Sequence, residues 1–195
     1  MPLLEQPLLA TARLRLREVA STDAPALYAV HSDPQVMRYW SYPAWTDIAQ
    51  AEAKVAEIAR QRAQDPVLVW AVAEPADDRL IGTIALFALN QAQGRAEIGY
   101  SLASAWHGRG LASEAVAAVL GHAFDGLGLR RVEADVDPRN QPSRRLVERL
   151  GFREEGLLRE RWWVDGETAD TVLYGLLARQ FQRPVPPADG AVAPP

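Results

Sequence analysis

One segment, residues 95–124, constrains the fold of this chain more strongly than any other part of the sequence. Arg95 to Leu102 has the composition and length of a strand, and it ends shortly before two glycines, Gly108 and Gly110. From Leu111 to Phe124 the apolar residues recur at steps of three and four, which places them on one face of a helix. A strand that passes through a glycine turn directly into an amphipathic helix predicts an α/β fold, in which helices cover a sheet.

The periodicity of the remaining chain extends this prediction to a complete element order. Stretches with strand composition, bounded by turn residues, predict seven strands. They are Thr11–Val19, Val67–Glu74, Leu80–Leu89, Arg95–Leu102, Arg131–Val136, Phe152–Val164 and Thr168–Leu177. Helical periodicity and helix-forming composition predict four helices, over residues 21–31, 46–64, 111–126 and 140–150. The order βααβββαβαββ predicts a mixed sheet, with an antiparallel meander followed by at least one parallel pair.

Composition predicts a single folded domain and excludes several kinds of site. Hydrophobic residues make up 48% of the 195, which suits one core, and we expect the folded part to cover residues 1–182. Residues 183–195 are rich in proline and have no apolar period, so they are expected to be a disordered tail. The chain has no cysteine, which excludes a thiolate nucleophile and a zinc–thiolate site. Its three histidines are scattered, so we expect no metal.

Charge and hydropathy limit the partners of the chain. A net charge of −4 leaves no broad basic surface for nucleic acid, so a polyanionic ligand would have to be held by local geometry. No apolar run approaches the roughly 20 residues that span a bilayer, and the N-terminus lacks a signal-peptide pattern. We therefore expect no membrane partner and a cytoplasmic location, and we leave a homodimer open.

The glycine turn offers such a local geometry for an anion. Gly108 and Gly110 let the backbone turn tightly and approach a ligand, and the first N–H groups of the following helix suit a pyrophosphate. Taken alone, the two glycines fit a plain strand-to-helix turn equally well. No Gly-Lys-Ser/Thr follows, which excludes a Walker loop, and the glycine spacing of dinucleotide-binding folds is also missing.

The sequence His107-Gly-Arg-Gly-Leu-Ala112 resembles the Q/R-x-x-G-x-G/A pyrophosphate loop of the GNAT superfamily of acyl-CoA-dependent N-acetyltransferases. Trp106 and the residues that follow Ala112 are similar to the branch that acetylates N-terminal amines of ribosomal proteins. His107 stands where the family usually has Gln or Arg, but a loop that binds through backbone N–H groups depends more on its glycines. The resemblance implies a single-domain fold with a centrally splayed sheet and acetyl-CoA as co-substrate. The cofactor-binding residues that it implies here are Leu102, His107, Gly108, Arg109, Gly110, Leu111 and Ala112.

A second motif agrees with the first. Asn140-Gln-Pro-Ser143, followed by Gly151-Phe152, is similar to the N-x-x-S segment of the family and its later G-F. From the residues alone, Asn140 is a helix N-cap and Gly151 ends that helix. By resemblance, Asn140 binds the pantetheine arm and Ser143 lies near the sulfur or a phosphate of the cofactor. The arm is implied to lie between the splayed strands and to pair with backbone near Leu102.

Acetyl transfer to an amine requires a neutral nucleophile, a polarised thioester carbonyl and a path for protons. Deprotonation at pH 7 costs an α-amine about 1 kcal/mol and a lysine about 4.6 kcal/mol, so an α-amine needs only a weak base. Glu97, on the strand beside the expected cleft, is the candidate base, and a solvated strand carboxylate is the alternative. Many family members place a tyrosine acid where this chain has Val147. Ser143 is the predicted replacement, with Tyr100 or Tyr174 as alternatives.

Aromatic residues are predicted to wall the acceptor pocket, although burial in the core would explain any one of them equally well. They are Tyr39, Trp40, Tyr42, Tyr100 and Trp162. The predicted function is transfer of acetyl from acetyl-CoA to an α-amine of a protein or peptide, with no covalent enzyme intermediate. A small-molecule amine as acceptor, such as a polyamine, antibiotic or amino acid, and a non-catalytic CoA-binding sensor stay open. A serine hydrolase built on Ser101 is disfavoured because only His107 and His122 follow it, and His107 comes too soon for an acid to lie between.

Overall fold

The structure is a computed structural model that describes residues 6–64 and 67–183, and within them it has eight strands and five helices. The strands are β1 Leu9–Ala10, β2 Arg15–Glu18, β3 Leu68–Ala73, β4 Leu80–Asn90, β5 Arg95–Leu102, β6 Arg131–Val136, β7 Arg153–Val164 and β8 Glu167–Leu177. The helices are α1 Ala24–His31, α2 Pro34–Met37, α3 Ile48–Gln64, α4 Leu111–Gly121 and α5 Gln141–Arg149. All seven predicted strands and all four predicted helices are present.

Two short elements escaped the prediction of about seven strands and four helices. Strand β1 has only two residues, too few to show alternation. Helix α2 has four residues, with Pro34 in its first turn and the Asp33 carboxylate accepting a hydrogen bond from Gln35 N at 2.8 Å. Its capping signal is visible in the sequence, but one turn cannot display a helical period. The helix predicted from residue 21 begins with a 3-10 turn, and its α-helical part starts at Ala24.

The strands form one mixed sheet in the order β1-β2-β3-β4-β5-β6-β8-β7. Neighbouring strands are antiparallel except β5 and β6, which are parallel, as the alternation of strands and helices in the second half predicts. Helices α1 and α3 lie on one face, where Val30 packs with Ala71. Helices α4 and α5 lie on the other face and bury their apolar stripes against residues such as Trp70. Because side chains alternate along β3, its successive residues serve the two layers.

The sheet splits in its middle, between β5 and β6. The two strands pair only at Arg95–Arg131, Ala96–Val132 and Glu97–Glu133. Beyond Glu97, β5 stays paired with β4 as far as Leu102, and β6 stays paired with β8 as far as Val136. The splayed sheet implied by the resemblance is confirmed, and the gap exposes unpaired strand edges on both sides.

The predicted tail, residues 183–195, falls almost wholly outside the described residues. Only Arg183 is described, and its Nε donates to Asp125 at 3.0 Å. Asp125 belongs to the single π-helical turn His122–Gly126 that follows α4. The boundary at residue 182 stays a prediction.

Candidate active site

The split in the sheet opens into a cleft of about 1410 Å³. Its walls come from the segment 34–44, the turn that follows β5, the starts of α4 and α5, and the β7–β8 hairpin. Glu97 lines it at the point where β5 and β6 separate, and Tyr100 lines it further along β5. The cleft thus gathers residues from both halves of the chain around the separated strands.

The glycine turn contributes to the lining of this cleft. Gly108 and Gly110 have φ angles of +75° and +76°, the left-handed region that favours glycine. A Cβ at Gly108 would meet nothing within 4 Å, so its conformation rather than a lack of space requires glycine there. Helix α4 begins at Leu111, and its first backbone bond runs from Glu114 N to Gly110 O at 3.1 Å. The N–H groups of residues 111–113 therefore have no acceptor within the helix, and these residues line the cleft.

The turn is anchored to the N-terminal part of the chain. Arg13 donates to Arg109 O at 2.9 Å and forms an ion pair with Glu114 at 2.6 Å. Thr11 Oγ1 donates to the same Glu114 carboxylate at 2.6 Å. The side chain of Arg109 stacks on Trp106, with its guanidinium carbon 4.9 Å from the ring centre, and does not line the cleft. No local sequence pattern indicates a role for Arg13, because its partners Arg109 and Glu114 lie 96 and 101 positions away.

The side chain of His107 is engaged within the turn. Its Nε2 lies 2.7 Å from Leu102 O, so the ring links the turn to the end of β5. One of the two lone pairs of the Leu102 carbonyl is thereby used. At the position where the family usually has Gln or Arg, this chain has a side chain that holds the strand end.

The start of α5 forms another part of the cleft wall. Asn140 Oδ1 accepts a hydrogen bond from Ser143 N at 3.2 Å, which confirms the predicted N-cap. Pro142 lies in the first turn, where its missing N–H costs nothing. Both Asn140 and Ser143 line the cleft. Since Oδ1 is engaged in the cap, the amide nitrogen of Asn140 is the group that could donate to a ligand.

Tyr100 and Ser143 meet between β5 and α5. The phenol oxygen lies 2.7 Å from Ser143 Oγ, and burial raises the pKa of Tyr100 to about 12. Tyr174, the other tyrosine considered, is 1% exposed; its hydroxyl accepts from Arg144 and donates to Glu148. The structure thus brings Tyr100 to Ser143 in the cleft and leaves Tyr174 outside it.

Glu97 occupies the last paired position before the strands separate, opposite Glu133. Burial raises the pKa of Glu97, and the nearby carboxylates of Asp135 and Glu133 raise it further. Arg95 and Arg161 act in the opposite direction without cancelling the effect. A carboxylate with a raised pKa that faces a cleft is a better proton acceptor than a solvated one.

Four of the five aromatic residues predicted for the acceptor pocket line the cleft, namely Tyr39, Trp40, Tyr100 and Trp162. Tyr42 does not, because its hydroxyl turns away and lies 3.0 Å from His31 Nδ1. The ring of His31 stacks on Trp45, with 4.5 Å between centroids, and burial lowers its pKa to about 4. Tyr42 therefore belongs to a buried aromatic cluster behind the cleft wall.

The contacts of His31 in this cluster argue against the serine hydrolase alternative. Ser101 Oγ lies 3.5 Å from His31 Nε2, at the limit of a hydrogen bond. The other ring nitrogen contacts the hydroxyl of Tyr42 rather than a carboxylate. A nucleophilic triad needs an acid at that place, so Ser101 and His31 do not form one.

Neither a metal centre nor a membrane span is found in the described part of the chain. Residues 6–64 and 67–183 contain no group of three or more His, Cys, Asp or Glu side chains placed to hold a metal ion. Within the same ranges, none of the helices combines the length and apolar character needed to cross a bilayer.

Comparison with known proteins decides the family. The model of the acetyltransferase (GNAT) domain matches residues 13–153. The chain belongs to the GNAT family. This acetyltransferase is 36% identical to the uncharacterized N-acetyltransferase p20 of Bacillus licheniformis over 171 residues, which cover 88% of this chain and 96% of that protein. It is 26% identical over 170 residues to the spermidine N(1)-acetyltransferase of Vibrio cholerae, covering 87% and 96% of the two chains.

A solved structure supports the same assignment. Mycobacterium smegmatis RimJ in complex with CoA-disulfide superimposes on this acetyltransferase with a TM-score of 0.78 at 27% identity, covering 89% of this chain and 88% of that one. The family and these relatives make the chain an acetyl-CoA-dependent N-acetyltransferase. The alternative of a non-catalytic sensor is therefore not retained.

Proposed function

We propose that this acetyltransferase moves acetyl from acetyl-CoA to the α-amine of a protein or peptide by direct attack. The observation that carries the proposal is the position of Glu97. Its carboxylate lies where β5 and β6 separate, in the same cleft as the glycine turn, and its pKa is raised by burial. A weak base of this kind meets the light demand of an α-amine and falls short of the demand of a lysine.

The residues around the cleft fit acetyl-CoA, which supplies the thioester carbonyl. The backbone from His107 to Ala112 would hold the pyrophosphate, because its two left-handed glycines lead into the start of α4, whose first residues line the cleft. The amide nitrogen of Asn140 and the unpaired edge of β5 near Leu102 would bind the pantetheine arm. His107 acts here through its hold on Leu102 O.

In the proposed reaction Glu97 receives the proton of the attacking amine, directly or through one water molecule. The bond between the amine nitrogen and the carbonyl carbon forms, and the bond between that carbon and the sulfur breaks. The departing thiolate takes a proton from the hydroxyl pair of Tyr100 and Ser143. A pKa of about 12 keeps the phenol protonated at neutral pH, so it can act as the donor.

The acceptor would enter between the 34–44 segment and the β7–β8 hairpin. Tyr39 and Trp40 on one side and Trp162 on the other offer flat apolar surfaces to a peptide. Trp162 is fixed in place, because its Nε1 donates to Thr171 Oγ1 at 3.0 Å. Rigid aromatic walls bind a chain with little loss of side-chain entropy.

A second acceptor class, a polyamine, is favoured by one observation. Several carboxylates line the cleft, where they would attract a polycation. They include Glu97, Asp135, Asp165, Glu167 and Asp170. The relationship to a spermidine N(1)-acetyltransferase agrees with this candidate.

A panel of acceptors separates these two candidates. It contains a short peptide with a free α-amine, the same peptide with that amine blocked and an internal lysine free, and spermidine. Thiol release and product mass are measured with acetyl-CoA at pH 7. We expect the peptide with the free α-amine to be the best acceptor, with the acetyl group on its N-terminal nitrogen. Preference for the lysine would contradict the proposal, and preference for spermidine would establish the second candidate in its place.

A further inference from the structure

The cleft carries positive side chains that the proposed chemistry does not use. Four arginines that line it have no carboxylate within ion-pair distance among residues 6–64 and 67–183. They are Arg38, Arg145, Arg149 and Arg161. Arg38 has a partner of another kind, since its guanidinium lies 5.2 Å from the centre of the Tyr39 ring. Arg161 interacts electrostatically with Glu97 and Asp135. Arg145 and Arg149, both on α5, are therefore the two arginines without an assigned role.

Arg145 and Arg149 lie one turn apart on α5 and therefore on the same side of the helix. Both are exposed to the cleft, whereas Leu146 and Val147 between them are buried in the core. Like charges at this spacing destabilise a helix. The adjacent Arg144 shows the contrast, because it donates to Tyr174 at 2.9 Å and to Glu154 at 3.1 Å.

The position of the pair within the cleft indicates what it could bind. Helices α4 and α5 pack against each other, and the start of α4 lines the same cleft as the arginine side of α5. The N-terminal end of α4 carries a partial positive charge. Two guanidinium groups and a helix start thus add positive charge to the lining of one cleft, in a chain whose net charge is −4. Such a lining suits a ligand with more than one phosphate.

We propose that Arg145 and Arg149 bind the ribose 3′-phosphate of coenzyme A. The cofactor carries a pyrophosphate, which suits the backbone amides at Gly108 to Ala112, and a separate phosphate monoester on the ribose. The monoester is compact and doubly charged near neutral pH, and guanidinium groups bind such groups through paired, charge-assisted hydrogen bonds. These two residues therefore set the preference of the enzyme for coenzyme A over its 3′-dephospho form. The inference rests on the use of acetyl-CoA by the family and is independent of the acceptor.

Calorimetric titration tests the assignment without turnover. Coenzyme A and 3′-dephospho-coenzyme A are titrated separately into the wild type, into Arg145→Gln, Arg149→Gln and the double variant, and into Arg159→Gln. Arg159 is exposed on β7 outside the cleft, so its substitution is a matched control for the loss of one charge. We expect the wild type to bind coenzyme A roughly tenfold more tightly than the dephospho form. The double variant should bind both about equally, and Arg159→Gln should keep the preference.

Kinetics give a second readout. With saturating acetyl-CoA, the double variant should keep the kcat of the wild type, and its KM for acetyl-CoA should rise about tenfold. Equal affinity of the wild type for both ligands would overturn the assignment while leaving the use of coenzyme A intact. Equal weakening of both ligands in the double variant would overturn it too, because the arginines would then act on a part of the cofactor that both share. Failure of the wild type to bind coenzyme A would contradict the cofactor itself.

Discussion

Substitution of Gly108 by alanine tests the anion site at its most specific point. Gly108 has φ +75°, and a Cβ there would meet no atom within 4 Å. The added methyl group therefore clashes with nothing in the protein and acts only through backbone conformation and through the space that a ligand would fill. Gly128 provides a matched control, with φ +65°, equally open surroundings and a position outside the cleft.

The expected cost to folding is similar for Gly108→Ala and Gly128→Ala. Alanine in the left-handed region costs about 1–2 kcal/mol. The smaller entropy of the unfolded chain returns about 0.4–1 kcal/mol. A net loss of about 1 kcal/mol lowers the Tm of a domain of this size by about 2–4 °C.

Binding should separate the two variants. We expect the calorimetric Kd for coenzyme A to rise at least about tenfold in Gly108→Ala, or about 1.4 kcal/mol, because the methyl group displaces the phosphate from the amides. Gly128→Ala should bind like the wild type. If both variants lose the same stability and Gly108→Ala keeps its affinity within about twofold, the glycine turn is a structural turn and not the pyrophosphate site.

Three further predictions concern the proton path and the pH dependence. Glu97→Gln should lower kcat by about 10²-fold or more and leave the Kd for coenzyme A unchanged. It should also remove the acidic limb of the pH profile of kcat/KM. In the wild type the midpoint of that limb lies above the ordinary carboxylate pKa, because the pKa of Glu97 is raised. Unchanged kcat would exclude Glu97 as the base. Tyr100→Phe and Ser143→Ala should each slow single-turnover acetyl transfer, and the double variant should be no slower than the worse single one if the two hydroxyl groups act as a unit; additive losses would speak against the pair. Burial lowers the pKa of His31 to about 4, so its contribution to stability is complete above pH 6.5 and is lost as the pH falls toward 4, by up to about 3 kcal/mol. His31→Gln should flatten the Tm profile over that interval, and an unchanged profile would show that other groups cause the acid sensitivity.

Most of the fold could be predicted from periodicity, because the long elements carry many repeats of their pattern. Strand β6 was predicted at its observed bounds, Arg131 to Val136, and α4 was predicted from its apolar stripe. The splay between β5 and β6 could not be read from periodicity, since a strand looks the same whether its neighbour is paired or absent. It came from the resemblance carried by the glycine turn and Asn140.

The sequence predicts which residues line the candidate site better than it predicts which of their side chains contact one another. Tyr100 and Ser143 were named separately, and their hydrogen bond joins residues 43 positions apart, which no local pattern encodes. The inward turn of Tyr42 depends on its contact with His31, which no local pattern in the sequence indicates. Arg13 was missed for the same reason. The direction of a side chain depends on its tertiary neighbours, and local patterns in one sequence do not reveal those neighbours.

The bond from His107 to Leu102 O bears on how such enzymes are found. A search pattern written in letters that demands Gln or Arg at this place would reject the chain. A pattern written in backbone shapes, as a strand followed by two left-handed glycines and a helix start, would accept it. The conformation of Gly108 and Gly110 is thus a better signature for detecting distant members than the side chain that precedes them.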